Sequence, residues 1–339
     1  MKRIFLMLCL CIPLMVSALE LQEGRIKVVL HEETGRFSLY YLSDIQKDRY
    51  EALFVDQDPR TSFLSLLVDD RAFRLGDTTA FRFKATTENQ KAAFVFESST
   101  LSVRQEFSFI KSAGASLANG IRMDISVVNL GERDIPVGIR VLLDTKLGEK
   151  EKNHFSTDQN EINAEAIIGK KSLDRWWYSR NARIGLMGSI KADESTDPDT
   201  VHFANWKRLN DAAWKSDENK GRNFNLLPYS IGDSAVSYYF DVKPLARGAE
   251  RRVSILLASA ENEGFEKHAE AIENDLSRLM RESLDAAEAP ELKLRTDLLT
   301  IRDLIARIDA AYESGTVSDE ELAAMELVLE RLSSRYGLK

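Results

Sequence analysis

Hydrophobic and polar residues alternate along most of the chain, from about position 25 to position 260. In one such run Phe37, Leu39 and Tyr41 share a face, while polar residues such as Arg36 occupy the other. A period of two is typical of half-buried β-strands, because successive side chains of a strand point to opposite faces. The same alternation recurs in further runs at 103–109, 121–127, 137–143, 236–240 and 253–257.

Short polar links separate these runs. Residues 86–90 read Thr-Thr-Glu-Asn-Gln and lie between two phenylalanine pairs, as in a hairpin, and Arg247-Gly248 precedes the last run. Many short strands with turns between them are typical of antiparallel sheets packed face to face. We therefore predict a mainly β protein, a large two-sheet antiparallel β-sandwich over 19–260. A linker rich in Pro, Gly or Ser is not found within it.

After position 260 the apolar period changes from two to that of a helix. Residues spaced by three and four form three stripes. Gly315 separates the second and third stripes, and Ser318 with Glu321 makes a capping box, which starts helices. The pattern predicts a C-terminal helical hairpin or bundle within 261–339. The stripes consist of Phe265, Ala269, Ile272, Leu276 and Leu279; of Leu294, Leu298, Ile301, Ile305, Ile308 and Tyr312; and of Leu322, Met325, Leu329, Leu332 and Tyr336.

The helical region has two interpretations. Two apolar seams can satisfy each other, so the helices can simply fold against the sandwich. The same seams also suit an arm that docks to a protein partner or to a second copy, through 291–336. Both interpretations stay open at the level of sequence.

The first eighteen residues have the features of a signal peptide. Lys2 and Arg3 precede an apolar run, and Val16-Ser17-Ala18 ends it with small residues. The run is shorter than the roughly 20 residues that span a bilayer, and no later segment is a transmembrane candidate. We therefore expect cleavage after Ala18, a periplasmic or secreted protein, and no transmembrane anchor after cleavage.

Charge and cysteine content change with that cleavage. The full chain of 339 residues has 46 basic and 54 acidic residues, a net charge of -8 and two cysteines. The signal peptide holds Cys9, Cys11 and two of the basic residues, which leaves 44 basic residues and a net charge of -10. The mature protein would have no disulfide or thiolate chemistry. An acidic balance also argues against nucleic acid as a partner, since such binders need a basic surface.

Sequence motifs for catalysis or cofactor binding are not found. The four histidines are far apart, and the chain has no metal-binding H-E-x-x-H, no nucleophile elbow and no phosphate-binding glycine loop. Asp144 and Glu149 flank a turn and could form a carboxylate pair of the kind that cleaves glycosides, about 5 to 10 Å apart. In an acidic chain such pairs also arise by chance.

One acidic loop is a candidate Ca²⁺ site. Alternate positions carry hard oxygen ligands, as in calcium loops. However, Pro198 stands where such a loop needs glycine, and Ala204 where a glutamate closes the cage. A solvated acidic loop is therefore the other interpretation. The candidate ligands are Asp193, Ser195, Asp197 and Asp199.

All four tryptophans fall within a short part of the chain. Exposed aromatic rings on a sandwich can stack on sugars, with carboxylates holding the hydroxyl groups. Tryptophans also pack in cores, and neighbours on a strand point to opposite faces, so Trp176 and Trp177 cannot both face a ligand. We take as candidate ligand-binding residues Trp176, Trp177, Trp206, Trp214, Asp174 and Asp217.

Three short elements together resemble a group of secreted bacterial and archaeal β-sandwich proteins. They are the Asp144-Thr145 strand end with Gly148, the Asn205-Trp206 pair, and the Asp233-Ser234-Ala235-Val236 strand. With its helical tail the chain looks most like an exported protein of spirochaetes. The resemblance implies a sandwich fold and an exported location, and no particular reaction. The architecture is also similar to the large sandwiches of mutarotase-like and sugar-binding proteins.

We therefore expect a non-enzymatic binding or scaffold protein of the cell envelope. The sandwich would present a surface to a ligand or partner, and the helical tail would dock or self-associate. The alternative is a carbohydrate-binding or carbohydrate-processing sandwich protein, with a glycan bound near the tryptophans. No cofactor is expected apart from Ca²⁺ at the acidic loop.

Overall fold

The computed structural model describes most of the predicted sandwich and a few residues of the tail. The described residues are 18–45, 47–88, 91–112, 115, 117–219, 221–260, 264–265 and scattered positions between 297 and 336. Residues 1–17 of the predicted signal peptide lie outside them, as does most of the predicted helical region 261–339.

The described part of the chain forms 19 strands in three antiparallel sheets. The mainly β, antiparallel prediction is confirmed. The strands are β1 Ala18–Glu23, β2 Ile26–His31, β3 Arg36–Asp44, β4 Arg49–Ala52, β5 Phe63–Val68, β6 Arg71–Arg74, β7 Arg82–Glu88, β8 Lys91–Glu97, β9 Leu101–Ile110, β10 Gly120–Asn129, β11 Ile135–Thr145, β12 Phe155–Thr157, β13 Glu161–Ile162, β14 Ala166–Gly169, β15 Trp176–Arg180, β16 Gly185–Ser189, β17 Thr200–Asn205, β18 Ser234–Leu245 and β19 Glu250–Ser259.

Two large sheets form the sandwich. One has nine strands in the order β13-β12-β15-β16-β19-β10-β9-β8-β7, and the other has six in the order β14-β17-β18-β11-β5-β6. The alternating residues predicted to face inward do so: Ile121, Met123, Ile125 and Val127 of β10 are fully buried. They share one core with the inward residues of β11 and β18 in the opposite sheet.

The third sheet is a difference from the two-sheet prediction. Strands β1 to β4 pair in sequence order as a four-stranded meander. Gly24 and Gly35 have positive φ angles of 56° and 64°, which allow tight turns between consecutive strands, so these strands pair with each other. Buried residues such as Ile26 and Leu30 still belong to the common core.

A short helix and a long connection cover the outer face of the six-stranded sheet. Helix α1, Trp206–Asp211, begins at Asn205, whose side chain accepts a hydrogen bond from the Lys207 backbone. Leu209 of α1 packs on outward residues of the sheet, including Leu142 and Ala235. The outer face of this sheet is therefore largely buried beneath residues 206–233.

The described residues between 297 and 336 are helical. Leu304 packs with Met325 and Leu332, and Leu299 packs against Leu42 of β3. Most residues that define the predicted hairpin lie outside the described part of the chain, so the hairpin itself stays a prediction. In the described residues, no helix has the length and apolar character needed to cross a membrane.

Candidate functional site

Strand β15 carries the tryptophan pair, with one side of the strand in the core and the other on the outer face of the nine-stranded sheet. Its inward residues Trp177 and Ser179 are buried in the sandwich. Its outward residues Trp176, Tyr178 and Arg180 lie on the outer face of the nine-stranded sheet, where Trp176 packs in a small separate cluster. The neighbouring rings therefore lie on opposite faces, as expected for a strand.

The four tryptophans do not form one site. Trp177 is fully buried and packs edge-on against Phe155 and Phe203, with ring centres 5.8 and 6.0 Å away. Trp206 begins α1 and donates from Nε1 to the Thr61 carbonyl at 2.9 Å. Trp214 lies over the other sheet, with its ring 6.0 Å from that of Tyr239. Of the candidate ligand-binding tryptophans, the structure places Trp176 alone on the outer face of the nine-stranded sheet.

Trp176 borders a cleft of about 540 Å³, which we call the tryptophan cleft. Trp176 as a whole is only 9% exposed. The Arg175 guanidinium carbon lies 4.5 Å from the ring centre, and Gly264 packs so closely that an added Cβ would meet the indole at 2.5 Å. The indole therefore offers little free surface for stacking. The cleft instead presents charged groups, namely Lys111, Arg175, Lys191, Asp193, Glu194 and Asp197.

The predicted calcium ligands are engaged in different ways. Asp193 and Asp197 line the tryptophan cleft. The Ser195 hydroxyl bonds within its own turn to Ala192, and Asp199 accepts from the Asp241 backbone at 2.8 Å and pairs with Lys170 at 2.6 Å. The described residues contain no group of three or more His, Cys, Asp or Glu side chains placed to hold a metal ion. Calcium binding stays a prediction.

A second cleft of about 480 Å³ lies beside Tyr178, and we call it the amide cleft. Tyr178 provides an aromatic ring, and the Arg180 guanidinium carbon lies 4.7 Å from the ring centre. Four side-chain carboxamides and three carboxylates also line it. They belong to Asn153, Gln159, Asn160, Asn181, Glu151, Asp158 and Glu161.

One ion pair connects the two clefts. Asp158 lines the amide cleft, and Arg175 lines the tryptophan cleft. Asp158 accepts from the Arg175 backbone at 2.8 Å and from its Nε at 3.3 Å. Burial alone would raise the pKa of Asp158, but hydrogen bonds from Arg175 and Gln159 hold it below its ordinary value. Asp158 therefore presents a negative charge at neutral pH.

The chemistry of the amide cleft suits neutral ligands rich in hydroxyl groups. A carboxamide both donates and accepts hydrogen bonds, and so does a sugar hydroxyl. The buried Asn153 Oδ1 has no hydrogen-bond partner among the described residues. A buried acceptor without a partner is costly to the folded protein.

Asp174 and Asp217 lie in separate surroundings. Asp174 is buried and accepts hydrogen bonds from Thr157 Oγ1 and Ser172 Oγ, which ties the β12 turn to the start of β15. Asp217 is exposed in the connection that covers the six-stranded sheet. The structure therefore does not bring these two carboxylates together with Trp176.

The three elements that carry the family resemblance meet at one end of the six-stranded sheet. Thr145 Oγ1 donates to the Ser234 carbonyl at 2.8 Å. Asn205 Nδ2 donates to the Asp233 carbonyl at 3.0 Å, and the Trp206 backbone donates to the same oxygen at 3.3 Å. These elements therefore join the ends of β11 and β17 to the start of β18.

Carboxylates gather at the same junction. Burial raises the pKa of Asp144 to about 8, and the charges of Asp233 and Glu149 add to the shift. Burial likewise raises the pKa of Glu149 to about 7, again with a contribution from Asp233. The predicted Asp144–Glu149 pair thus belongs to a cluster of three interacting acids. Glu149 begins the loop whose later residues, including Asn153, line the amide cleft.

The residues of the amide cleft were missed by sequence reasoning. Asn153 and Asn160 flank β12, whereas Asn181 follows β15, and the cleft forms because β12 pairs with β15. The one sequence feature that could have indicated it is the density of carboxamides in the two loops that end these strands.

Comparisons with known proteins concern the fold. No protein-family model and no curated protein sequence matches the chain. A galactose mutarotase related enzyme from Lactobacillus acidophilus has a TM-score of 0.46 at 10% identity, covering 73% of this chain and 99% of that one. A putative aldose 1-epimerase from Escherichia coli has a TM-score of 0.42 at 10% identity, covering 72% and 99%.

A larger enzyme is also similar in part. An α-N-acetylgalactosaminidase from Bifidobacterium bifidum has a TM-score of 0.42 at 13% identity, covering 78% of this chain and 39% of that one. Mutarotase-like proteins are therefore among the solved structures to which this chain is similar, at TM-scores below 0.5. The resemblance to exported spirochaetal proteins stays a prediction.

Proposed function

We propose that this protein binds neutral carbohydrate, and that the amide cleft is its binding site. The supporting observation is the lining of the cleft, which combines four carboxamides with the Tyr178 ring. Sugar-binding sites combine an aromatic face for the C–H side of the ring with planar polar groups for the hydroxyls. Asn153 lines the cleft, and its Oδ1 has no hydrogen-bond partner among the described residues.

Charge supports a neutral ligand over an acidic one. The carboxylates of Glu151, Asp158 and Glu161 outnumber the two basic residues of the same cleft, Lys152 and Arg180, and would repel an anionic sugar. Arg180 lies beside the Tyr178 ring, with its guanidinium carbon 4.7 Å from the ring centre. We further propose, from the signal-peptide pattern, that binding takes place outside the cytoplasm.

The test is glycan binding by the full chain. We expect a glycan array to detect neutral oligosaccharides, and calorimetry on the best of them to give a lower affinity for Tyr178→Ala and Gln159→Ala. A loss of tenfold or more corresponds to about 1.4 kcal/mol per variant. The matched controls are Tyr229→Ala and Gln22→Ala, which remove an exposed ring and an exposed carboxamide elsewhere.

Two results of these binding measurements would contradict the proposal. Equal weakening by the controls and the cleft variants would place the ligand elsewhere. Absence of binding to any neutral glycan, by a protein with a native circular dichroism spectrum, would end the proposal.

Self-association is a second candidate function, favoured by exposed apolar residues in the tail. Leu298, Ile305 and Ile308 belong to the second apolar stripe of the predicted helices. They are 52%, 53% and 49% exposed. Exposed apolar side chains at helical spacing are typical of association surfaces. We expect light scattering to show a dimer or larger species that the triple replacement by serine converts to a monomer. A monomeric parent protein would exclude this role.

A further inference from the structure

A serine, a histidine and a glutamate that are distant in sequence lie in a line beneath the connection from 212 to 225, with a hydrogen bond from Ser216 to His202 and an ion-pair contact from His202 to Glu165. Ser216 Oγ lies 3.2 Å from His202 Nδ1, and His202 Nε2 lies 3.3 Å from Glu165 Oε1. The other oxygen of Glu165 pairs with Arg222 Nε. Strand pairing brings them together, because β14, which follows Glu165, aligns with β17, which carries His202.

Ser216 lies nearer the surface than the other two groups, which are both buried. Ser216 is half-buried in a loop whose next residues, Asp217 and Glu218, are exposed. His202 is 1% exposed, and Glu165 is 3% exposed. A nucleophile at the surface, a base below it and a buried carboxylate beneath the base is the order that serine hydrolases use.

The histidine is in the form that such a relay needs. In the tautomer with its proton on Nε2, the nitrogen 3.3 Å from Glu165, Nδ1 can accept from the Ser216 hydroxyl. Burial lowers the pKa of His202, with the Glu165 carboxylate opposing the shift, so the imidazole is neutral near pH 7. Compared with the usual relay the two ring nitrogens exchange roles, which the chemistry permits because either nitrogen can accept a proton.

We propose that Ser216, His202 and Glu165 form a catalytic relay in which Ser216 is a nucleophile toward neutral carboxylic esters. Ser216 Oγ forms a bond to the carbonyl carbon while its proton moves to His202 Nδ1 and the carbonyl π pair moves onto oxygen. When that intermediate collapses, the bond to the alkoxy group breaks and the proton on His202 passes to it, releasing an alcohol. Water, deprotonated in turn by His202, then releases the carboxylic acid and restores Ser216.

The surrounding charges fit that substrate class. Glu165 faces Nε2 and stabilises the imidazolium formed in each half of the cycle. Arg222 pairs with Glu165, and its Nη2 donates to the carbonyl of Asp217, next to Ser216, at 3.4 Å, which places a positive charge near the relay. The exposed carboxylates of Asp217 and Glu218 disfavour anionic esters, so the relay selects uncharged ones.

The test is covalent labelling of the full chain with a fluorophosphonate, which phosphonylates activated serines and releases fluoride. We expect one adduct, located on Ser216 by peptide mass spectrometry, and hydrolysis of p-nitrophenyl acetate by the unlabelled protein. Ser216→Ala should abolish the adduct. His202→Gln should slow labelling about 10²-fold or more, the usual effect of losing a general base.

A matched serine variant completes the design. Ser43 is also half-buried, and its hydroxyl donates to the Glu51 carboxylate at 2.9 Å, so Ser43→Ala should leave labelling unchanged. Because Ser216 lies in a surface loop, Ser216→Ala should fold normally, as a native circular dichroism spectrum would verify. Absence of an adduct on Ser216, or equal labelling of several serines, would overturn the proposal. Either outcome leaves the carbohydrate proposal untouched, since the amide cleft lies on the other sheet.

Discussion

The indole Nε1–H of Trp177 donates a hydrogen bond of 2.6 Å to the hydroxyl oxygen of Tyr238 in the centre of the sandwich. Trp177 belongs to the nine-stranded sheet and Tyr238 to the six-stranded sheet, and both side chains are fully buried. A buried indole N–H and a buried phenol each need a polar partner. The bond therefore satisfies both groups and fixes the two sheets relative to each other.

We expect Tyr238→Phe to destabilise the protein. The substitution keeps the ring but leaves the Trp177 N–H buried without an acceptor, which should lower the free energy of unfolding by about 1–3 kcal/mol. Urea denaturation followed by tryptophan fluorescence would measure the change. Tyr229→Phe is the control, because Tyr229 is 72% exposed and should be neutral. Equal stabilities of the Tyr238→Phe variant and the parent would show that the bond contributes nothing net.

The same contact explains why position 188 is glycine. A Cβ on Gly188 would lie 2.5 Å from Tyr238 Oη and 2.6 Å from Trp177 Nε1. We expect Gly188→Ala to lower the melting temperature through overpacking worth about 1–3 kcal/mol. Gly169→Ala is the control, since nothing lies within 4 Å of a Cβ there. The explanation would be refuted by a Gly188→Ala variant as stable as Gly169→Ala.

The strands were predictable from sequence because each has one face in the core. Ile139 and Val141 of β11 lie on that face, and a period of two records this directly. The number of sheets was not predictable, because the period of a strand does not indicate which other strand it pairs with. The third sheet follows from the turns at Gly24 and Gly35.

The candidate sites were harder to predict than the strands, because each site depends on which strands pair. The amide cleft needs β12 beside β15, and the Ser216–His202–Glu165 line needs β14 beside β17. Neither pairing leaves a pattern in the sequence. Composition did locate the tryptophans, but it could not separate a core ring such as Trp177 from one at the surface. Burial of an aromatic ring is decided by the neighbouring strands.

We expect Asn205 to be the most sensitive residue of the junction where the resemblance elements meet. The two hydrogens of its fully buried Nδ2 are shared among three acceptors, Phe224 O at 2.8 Å, Ser230 Oγ at 2.9 Å and Asp233 O at 3.0 Å. Asn205→Ala removes these bonds and the helix cap, and should cost about 2 kcal/mol or more in a urea titration.

The matched variant Asn205→Asp separates the cap from the donors. Aspartate keeps the oxygen that caps α1 but turns the donor into an acceptor that faces the carbonyls of Phe224 and Asp233. Asn205→Asp should therefore be at least as damaging as Asn205→Ala at pH 8. A nearly neutral Asn205→Asp would mean that capping, and not the bonds to 224–233, is what Asn205 contributes.

Stability should fall as pH rises through the range in which Asp144 titrates. In the folded protein burial raises the pKa of Asp144 to about 8, whereas an unfolded aspartate has a pKa of about 3.9. Between these values the folded state holds a proton that the unfolded state has released, so raising the pH favours unfolding. Asp144→Asn cannot ionise and should remove this decline. Its melting temperature relative to the parent should therefore be higher at pH 8 than at pH 5.

A second aspartate controls for general effects of pH. Asp58 pairs with Arg60 at 2.8 Å, and hydrogen bonds from Arg60 lower its pKa. It is therefore ionised in both folded and unfolded states from pH 5 to pH 8, and Asp58→Asn should shift the melting temperature equally at the two values. The same constant shift in Asp144→Asn would show that the Asp144 carboxyl is ionised in the folded protein throughout. A shift that grows toward pH 8 would instead establish Asp144 as a buried, proton-bearing acid beside Glu149 and Asp233.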